Sequence, residues 1–474
     1  MSSILGIDIG TTAIKFNLFS KEDYLILCSK KYLVPMKESS HEFSTQDPQV
    51  ILEQVTKGIQ AVANDYPIDE IVFSTAMHSL IPIINGEVGE MYLWSDKRAQ
   101  ATIAEFKVLH PSRAKHFYEV TGTPVHAMSP FAKLLYFKAC EPEFFEAVDQ
   151  WIDLKSFLLH FFTGEYVVDY SIASATGLFN TLTFEWDQEI LSFLKVRKSQ
   201  LPRAVDTNTA FLISQEILKK LDIPTKIQLY VGASDGTLAS YASLVGTSRK
   251  ISLTVGTSGA LRTISSERKI SQTQRTFCYY LAENQWVIGG ASNNGGRTLE
   301  WANELFYEQP ARIFEEIPNC LMNSPIGAKG LVFLPYINGE RAPLWDESVH
   351  GVFNGVTLGH NRQDFIRAIC EGILFNLKVI YNDFALQEKV SIALSGGFFS
   401  IAGMAEEAAA IFGAECVQSD YTEPAFGAVA LVAESLASFN QTALAVVPID
   451  SLKEISYQQS FTHFNQILQK ERNQ

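Results

Sequence analysis

Hydrophobic and polar residues alternate with a period of two in the first stretch of the chain. The apolar residues Ile14, Phe16 and Leu18 are separated by polar ones, which is typical of a β-strand with one buried face. The pattern predicts strands over Ala13–Phe19 and Tyr24–Ser29. These strands are expected to begin a meander.

A period of three to four residues follows and predicts a helix. Asp47 and Pro48 are suited to its N-cap and its first helical position. The apolar positions on one face of this helix are Ile51, Val55, Ile59 and Val62. A strand is predicted next, at Ile71–Ser74, and it leads to Met77-His78-Ser79.

The second half of the chain repeats this order of elements. A long helix is predicted from about Gln363, and the strand Val390–Leu394 ends at Ser395-Gly396-Gly397 before an alanine-rich helix. The repeat predicts two α/β lobes, with domains at residues 1–245 and 246–474 and a boundary near Ser243–Lys250. The other strands predicted for this half are Lys250–Val255, Ala260–Ile264, Phe277–Ala282 and Trp286–Ile288.

Each half contains a tight glycine-threonine turn between two apolar strands. The first turn is Asp8–Thr12 and the second is Thr254–Gly259. Glycine allows the sharp turn, and the amides and hydroxyls that follow can donate to phosphate oxygens. The pair predicts one nucleotide held between two lobes. Neither a G-x-x-x-x-G-K-[ST] loop nor a G-x-G-x-x-G fingerprint is present, which argues against P-loop and Rossmann folds.

The composition of the chain indicates a globular protein and argues against some kinds of binding partner. With 474 residues and 47% hydrophobic content, the chain can fill two cores. The net charge of −14 argues against nucleic acid as a partner, because binding a phosphate backbone needs a basic surface. No membrane span or signal peptide is expected, so we predict a cytoplasmic protein. The cysteines are scattered singly and are expected to be free thiols: Cys28, Cys140, Cys278, Cys320, Cys370 and Cys416.

Two aspartates follow predicted strands and are candidates for chemistry. Asp8 lies beside the first turn, where its carboxylate could hold Mg²⁺ through water. Asp235 follows the strand residues Tyr230 and Val231 and a group of small residues. It could be a base that accepts a hydroxyl proton, or an Asx turn that caps the next helix. The local sequence leaves both interpretations open.

A second group of residues is suited to a polyhydroxylated ligand. His78 could form a pocket wall beside Met77, or be a satisfied core histidine. Trp94, Asp96 and Arg98 place an aromatic ring beside fixed charges, which is common in sugar sites but also found in ordinary amphipathic turns.

At this point the motifs identify a family. The chain resembles the FGGY carbohydrate kinases of the actin/hexokinase/Hsp70-like ATPase superfamily from about Ile4 to Ala437. The matching segments are Asp8–Thr12, Met77-His78, Trp94–Arg98, Gly232–Asp235, Gly256–Gly259, Gly339–Pro343 and Ser395–Gly397. Within the family, the gluconokinase branch is the most similar, through Met77–Ser79, Val167–Ser171, Phe277–Tyr279 and Trp286–Gly290.

The resemblance implies a fold, a reaction and a set of site residues. It implies two ribonuclease-H-like lobes with a central cleft. The implied reaction is the transfer of a phosphoryl group from ATP, with Mg²⁺ as cofactor, to a sugar or sugar acid, and gluconate is the expected substrate. Asp235 would be the base and would also contact the substrate, and Asp8 would orient the metal. The implied nucleotide residues are Gly10, Thr11, Thr12, Gly256, Thr257, Gly295, Gly396 and Gly397, and the implied substrate residues are Met77, His78, Trp94, Asp96, Arg98 and Asp235.

Alternatives remain open at the level of the sequence. The acceptor could be xylulose, another ketose or a polyol, and a nucleotide switch without an acceptor is the alternative from another functional class. A buried substrate carboxylate would need a positive partner, for which Lys97, Arg98 and Arg341 are candidates. Arg98 could instead only brace Asp96. A homodimer is a further expectation.

Overall fold

The structure is a computed structural model that describes residues 2–40, 42–223, 226–386, 390–419, 423–436 and 444–472. It contains two lobes, each built on a mixed β-sheet flanked by helices. The strands of the N-terminal lobe are β1 (Ser3–Ile9), β2 (Ala13–Ser20), β3 (Ile26–Leu33), β4 (Glu38–Ser39), β5 (Ser44–Gln46), β6 (Glu70–Thr75), β7 (Ile81–Ile84), β8 (Glu87–Val88), β9 (Met91–Tyr92), β10 (Gln150–Ile152), β11 (Val167–Asp169), β12 (Phe179–Asn180), β13 (Glu185–Trp186), β14 (Arg203–Val205), β15 (Ala210–Leu212) and β16 (Gln228–Ser234). Its helices are α1 (Pro48–Ala63), α2 (Gln100–Leu109), α3 (Pro111–Thr121), α4 (Pro130–Cys140), α5 (Pro142–Ala147), α6 (Leu154–Thr163), α7 (Tyr170–Ser174), α8 (Gln188–Leu194), α9 (Gln215–Lys220) and α10 (Asp235–Thr247).

The second lobe follows α10 along the chain. Its strands are β17 (Ile251–Val255), β18 (Gly259–Ser265), β19 (Phe277–Ala282), β20 (Gln285–Ser292), β21 (Val332–Leu334), β22 (Val352–Asn354), β23 (Ile392–Ser395), β24 (Cys416–Gln418) and β25 (Val446–Val447). Its helices are α11 (Gly296–Phe306), α12 (Arg312–Asn323), α13 (Arg362–Asp383), α14 (Met404–Phe412), α15 (Pro424–Val432) and α16 (Ser451–Arg472). Short 3₁₀ turns occur at Lys198–Gln200, Ala328–Gly330 and Gly397–Ser400.

The two central sheets share one pairing pattern. The N-terminal sheet has the order β15-β16-β6-β1-β2-β3, and the C-terminal sheet has the order β19-β20-β18-β17-β23-β24-β25. In each lobe the first strand of the sheet pairs antiparallel with the next strand and parallel with a later one, as β1 does with β2 and β6, and β17 with β18 and β23. The repeat predicted from the sequence is therefore present in the fold.

The first helix forms as its sequence pattern predicts. The Asp47 side chain accepts a hydrogen bond from the backbone N–H of Gln49 at 2.9 Å and caps α1, and Pro48 occupies the first turn. Its apolar face packs into the N-terminal core with the residues Ile51, Val55, Ile59 and Val62, all buried.

Two local predictions were wrong. The second strand of the meander runs over Ile26–Leu33 instead of Tyr24–Ser29, because Tyr24 has a φ of 53° and belongs to the turn. In the second half, the alanine-rich helix does not follow Gly397 directly. A 3₁₀ turn over Gly397–Ser400 intervenes, and α14 begins at Met404.

Helix α15 connects the end of the C-terminal half to the N-terminal lobe. It packs against α10 and also against β1 and β6. The Lys15 ammonium lies 2.8 Å from the Glu423 carboxylate, just before α15 begins. The two lobes therefore share an interface beside the first glycine turn, and the space between the lobes is called the cleft below.

Two predictions from composition can be compared with the fold. All of the cysteines are free thiols, and four of them are buried. Among the helices in the described part of the chain, none is long and apolar enough to cross a membrane.

Candidate active site in the cleft

Asp8 lies at the end of β1, beside the first glycine turn. Its side chain is 7% exposed, and the Ser74 hydroxyl donates a hydrogen bond to its Oδ1 at 2.9 Å. Burial raises the pKa of the Asp8 carboxyl to about 7, and the negative charge of Asp235 adds to that effect. The carboxylates of Asp8 and Asp235 therefore lie close enough for their charges to interact.

A bulge in β16 positions Asp235. The register between β16 and β6 shifts between Tyr230 and Ala233, and Gly232 has a φ of 66°. A Cβ at Gly232 would lie 1.8 Å from the carbonyl oxygen of Phe73, so only glycine allows this approach. The bulge therefore fixes the direction in which the strand end delivers Asp235.

Asp235 is the first residue of α10 and is half-buried. The backbone N–H of Gly236 donates to its Oδ1 at 2.7 Å. Burial raises the pKa of the Asp235 carboxyl, while this amide and the Arg262 charge oppose the rise. The carboxylate is thus bonded to the start of its own helix and also faces the cleft, so the capping and base interpretations are compatible.

A buried ion pair supports the strand end that carries Asp235. The Lys155 ammonium lies 2.8 Å from Asp169, and both side chains have no exposed surface. Lys155 also donates to the carbonyl oxygen of Ala233 at 2.9 Å. Sequence reasoning missed this lysine, although its position on α6 beside the apolar Leu158 and Leu159 was the available signal.

Three hydroxyl groups close the same turn from the other side. Ser171 at the start of α7 lies 3.0 Å from both Ser234 and Thr237, and those two hydroxyls are 2.9 Å apart. All three side chains are buried. The turn before Asp235 is therefore held by side chains from α6, α7 and α10.

The first glycine turn is braced by its neighbours, while its two threonines remain at least partly accessible. The backbone N–H of Gly10 donates to the carbonyl oxygen of Ala13 at 3.1 Å, and the Gln46 amide donates to that of Thr11 at 2.7 Å. Thr11 is half-buried and Thr12 is exposed.

The second glycine turn is built on the start of α11. The backbone N–H of Gly296 donates to the carbonyl oxygen of Gly256, and that of Arg297 donates to Thr257 at 3.1 Å. Gly295 is buried behind the turn, with its backbone against Ser258. Of the predicted nucleotide residues, Gly256 and Thr257 are therefore accessible in the cleft, whereas Gly295 packs beneath them.

A third backbone segment reaches the same region from β23. Gly396 follows the strand with a φ of 94°, and both Gly396 and Gly397 are exposed. The Ser395 hydroxyl lies 2.8 Å from that of Thr254 in the neighbouring strand β17. The strand end is thus tied to the second glycine turn.

His78 lies after β6 with a φ of 67° and is buried. Its Nδ1 is 2.7 Å from the carbonyl oxygen of Ala175. Because a carbonyl only accepts, Nδ1 carries the proton and Nε2 is left as an acceptor. Burial lowers the pKa of His78 to about 3, so the ring is neutral at physiological pH.

Asp96 and Arg98 bind each other. The guanidinium donates to Asp96 through Nε at 2.7 Å and Nη2 at 3.0 Å, and the backbone N–H of Ser44 donates to the same carboxylate. The guanidinium also lies over the rings of Tyr92 and Phe137, at 4.4 and 5.5 Å from their centroids. This geometry is that of a brace in the pocket wall.

The segment around Arg341 joins the lobes. The Arg341 guanidinium lies 4.7 Å from the ring centroid of Trp94 and donates to Asn293 at 2.7 Å. Nearby, the Glu347 carboxylate forms an ion pair with the Lys97 ammonium at 3.1 Å and lies 3.1 Å from Nε2 of the buried His126. Lys97 is therefore paired across the cleft.

Glu340 anchors this segment inside the C-terminal lobe. Its carboxylate has no exposed surface and accepts hydrogen bonds at 2.7–3.2 Å. Burial raises the pKa of the Glu340 carboxyl to about 7. The donors are the Ser292 hydroxyl, the backbone N–H of Asn293 and the amides of Asn294 and Asn376.

Two further residues of the C-terminal lobe face the site and were missed from the sequence. Arg262 on β18 lies close enough to Asp235 for their charges to interact, and Tyr279 on β19 lies beside His78, with ring centroids 6.0 Å apart. An arginine within the otherwise uncharged strand Gly259–Ser265 was the available signal.

Two lobes with the same strand pairing, each with a glycine turn after its first strand, form the two-lobed architecture of the actin/hexokinase-like ATPase class. Comparison with known proteins gives the family. The chain belongs to the FGGY family of carbohydrate kinases, whose N-terminal domain matches residues 3–242 and whose C-terminal domain matches residues 251–435.

Curated relatives include two kinds of sugar kinase. The chain is 33% identical to a gluconokinase of Bacillus subtilis (strain 168), over 84% of this chain and 80% of that protein. It is 26% identical to a xylulose kinase of Staphylococcus epidermidis (strain ATCC 12228 / FDA PCI 1200), over 92% and 88%. Both alignments cover most of the two chains.

The solved structures that are similar to this chain also include a gluconate kinase and a xylulose kinase. A gluconate kinase from Lactobacillus acidophilus has a TM-score of 0.90 and 31% identity, over 98% of this chain and 97% of that one. A ligand-bound xylulose kinase from the same organism has the same TM-score and identity, over 98% of both chains. The protein is therefore a carbohydrate kinase, a phosphotransferase with an alcohol acceptor, and the alternative of a switch without an acceptor is set aside.

Proposed function

We propose that this kinase transfers the γ-phosphoryl group of ATP to the primary hydroxyl of gluconate and forms 6-phosphogluconate. The observation that carries the proposal is the likeness to gluconokinases along most of the chain, combined with a carboxylate, Asp235, that faces the cleft. Xylulose is the second candidate acceptor, since a xylulose kinase structure is equally similar.

In the proposed reaction, Asp235 is the general base. Its carboxylate takes the proton of the substrate hydroxyl as that oxygen bonds to the γ-phosphorus, and the bond from phosphorus to the leaving ADP oxygen breaks. Because burial raises its pKa, the Asp235 carboxylate binds a proton more readily than an exposed aspartate does. The Gly236 amide and the Lys155 brace keep the carboxylate in one place.

The residues around Asp8 fit a magnesium ion. Among the residues that the structure describes, no cluster of three or more His, Cys, Asp or Glu side chains could hold a metal. Magnesium is usually held by one or two carboxylates together with waters and substrate phosphates. Asp8, beside the first glycine turn, could therefore hold the ion as its protein carboxylate. When bound, the ion would neutralise phosphate charge.

The two glycine turns are proposed to hold the phosphates. Thr11 and Thr12 would donate from the N-terminal lobe, and Gly256 and Thr257 from the other lobe. Gly10 allows the sharp first turn. Gly396 and Gly397 would allow the nucleotide to approach the backbone after β23. Gly295 is proposed to support the second glycine turn, because its backbone packs against Ser258.

Replacing Asp8 with asparagine is expected to raise the Mg²⁺ concentration needed for the half-maximal rate by at least about tenfold, because one negative ligand is lost. The fold should not suffer. The pKa of Asp8 is about 7 in the folded protein, above the ordinary aspartate value of 3.8, so the free energy of unfolding falls as pH rises between these two values. Asp8→Asn should therefore melt at or above the wild-type temperature at pH 8.

A Mg²⁺ titration of the initial rate, with melting curves at pH 6 and pH 8, checks this prediction. The stability advantage of the variant should be larger at pH 8, where wild-type Asp8 is mostly charged. An unchanged Mg²⁺ profile in a well-folded variant would remove Asp8 from the metal site.

A panel of acceptors tests the substrate. We expect kcat/KM for gluconate to exceed that for xylulose, glycerol and sorbitol, measured by coupled ADP release at saturating ATP and Mg²⁺. If xylulose gives the highest value, the protein is a xylulose kinase and the gluconate proposal fails. The kinase class does not depend on this outcome.

A further inference from the structure

We propose that Arg262, together with Tyr279 and flanked by Arg341, binds the carboxylate of a sugar-acid substrate and so selects sugar acids over neutral sugars. This inference rests on the proposed function, because it assumes an acidic acceptor. It names a specificity residue that the sequence motifs do not identify.

Arg262 has no direct polar partner among the residues that the structure describes. Its guanidinium makes no hydrogen bond and no ion pair there, and its Nε is buried without an acceptor. The negative charge of Asp235 acts on Arg262 without a hydrogen bond between them, so the five N–H donors of the guanidinium lack acceptors in this part of the chain. A ligand carboxylate would supply these acceptors and a further negative charge.

The guanidinium points into the cleft near Asp235. Its Nη2 lies 3.4 Å from the position that a Cβ on Gly236 would occupy, at the start of α10. The side chain therefore reaches from the C-terminal sheet to the N-terminal lobe, where the acceptor is expected.

Along strand β18, Arg262 lies beyond the second glycine turn, Thr254–Gly259. Ala260 and Arg262 lie on the same face of β18, and Arg262 is the farther of the two from Thr257. The three strand steps from Gly259 to Arg262 correspond to roughly 10 Å, so the Arg262 backbone lies well beyond the second glycine turn. A hydroxyl at one end of the substrate could thus face the phosphates while a carboxylate at the other end meets Arg262.

The sheet is shaped to hold the arginine stem. Gly289 on β20 lies directly opposite Arg262, and a Cβ there would be 3.0 Å from Arg262 Cγ and 2.9 Å from its Cα. Phe277 is opposite Gly289 on the other side. The missing side chain at Gly289 leaves room for the arginine to lie across the sheet.

Tyr279 adds a donor on the same face. Its ring stacks on Phe277 at 4.3 Å, its side chain is 1% exposed, and its hydroxyl has no hydrogen-bond partner among the described residues. The charges of Arg262 and Arg341 both act on this hydroxyl. A carboxylate can accept from the phenol and the guanidinium together, whereas a neutral hydroxyl would leave the cation uncompensated.

The other candidate cations are engaged elsewhere. Arg98 binds Asp96 through two donors, and Lys97 pairs with Glu347. Arg341 donates to Asn293 and lies over Trp94, but it has no carboxylate within ion-pair distance in the described part of the chain. Arg341 is therefore able to contribute positive charge beside Arg262.

The test compares an acidic and a neutral acceptor in Arg262→Met, Arg262→Lys and Tyr279→Phe. We expect Arg262→Met to lower kcat/KM for gluconate by about 100-fold, mainly through KM, and to lower that for sorbitol by at least about tenfold less, because the lost charge beside Asp235 affects both acceptors whereas the lost carboxylate contact affects only gluconate. Arg262→Lys should retain part of the preference, and Tyr279→Phe should lose about tenfold for gluconate only. Arg312→Met, at an exposed ion pair in the same lobe, is the matched control and should change neither value.

Three outcomes separate the hypotheses. If the wild type does not prefer gluconate, the proposed function fails whatever the variants do. If it prefers gluconate and Arg262→Met keeps the full preference, this inference fails and the proposed function stands. Equal losses in kcat for both acceptors would show that Arg262 acts on the transferred phosphoryl group, which also overturns the inference. Calorimetric titration of gluconate into each folded variant without ATP provides a reading that does not depend on turnover.

Discussion

The Asp235→Asn variant is expected to lose activity by a factor of about 10²–10⁴ in kcat, because general-base assistance typically has this magnitude. Asparagine has the same shape as aspartate but cannot take the proton of the acceptor hydroxyl. The fold and ATP binding should be retained, since the amide oxygen can still accept from the Gly236 N–H. Steady-state turnover, a melting curve and ATP titration measure the three properties.

Asp187→Asn provides the matched control. Asp187 caps α8 by accepting from the backbone N–H groups of Glu189 and Ile190, at 3.0 Å each. The other oxygen of Asp187 accepts from the Asn180 side-chain amide at 2.9 Å. Asparagine caps a helix about as well as aspartate, so Asp187→Asn, which lies outside the proposed site, should keep near-wild-type turnover. Near-wild-type turnover in a folded Asp235→Asn protein would make it equivalent to Asp187→Asn and reject the base assignment.

The Lys155→Met variant should show the largest loss of stability, about 3–5 kcal/mol in the free energy of unfolding. The change would leave Asp169 charged and fully buried without its counter-ion. It would also remove the donor to the Ala233 carbonyl, so kcat should fall as the turn before Asp235 loosens. Urea denaturation and turnover, measured on the same preparation, check both effects.

Two further variants make that test specific. Lys198→Met breaks an exposed pair with Glu185 and should cost no more than about 1 kcal/mol. The double change Lys155→Met with Asp169→Leu should recover part of the lost stability, because no buried charge remains. A cost for Lys155→Met no greater than that for Lys198→Met would show that the buried pair does not stabilise the fold.

Local patterns were sufficient for many elements of the fold. The strand Phe277–Ala282 was predicted with its observed bounds, and α13 begins one residue before the predicted Gln363. In these segments the apolar residues recur with a clear period, so the burial of one face determines whether a strand or a helix forms. The strand around β3 was misplaced because the left-handed turn at Tyr24 has no glycine to mark it.

Local sequence patterns could not predict which groups the charged side chains contact in the folded protein. Nothing near Arg98 in sequence indicates that its guanidinium lies among the rings of Tyr92 and Phe137, and Lys155 finds Asp169 only after two segments of the chain pack together. Arg262 was passed over for a related reason: a lone arginine in a strand has no motif of its own.

The sequence by itself determined the two α/β halves, the two glycine turns and the candidate aspartates Asp8 and Asp235, because each depends on residues that are neighbours along the chain. Only the tertiary structure decided which charges are compensated within the protein and which face the cleft. Asp96 and Arg98 bind each other, whereas Arg262 reaches the start of α10 from the other lobe. The physical reason is that a charge interacts over distance in space, and folding brings together side chains that are far apart in sequence.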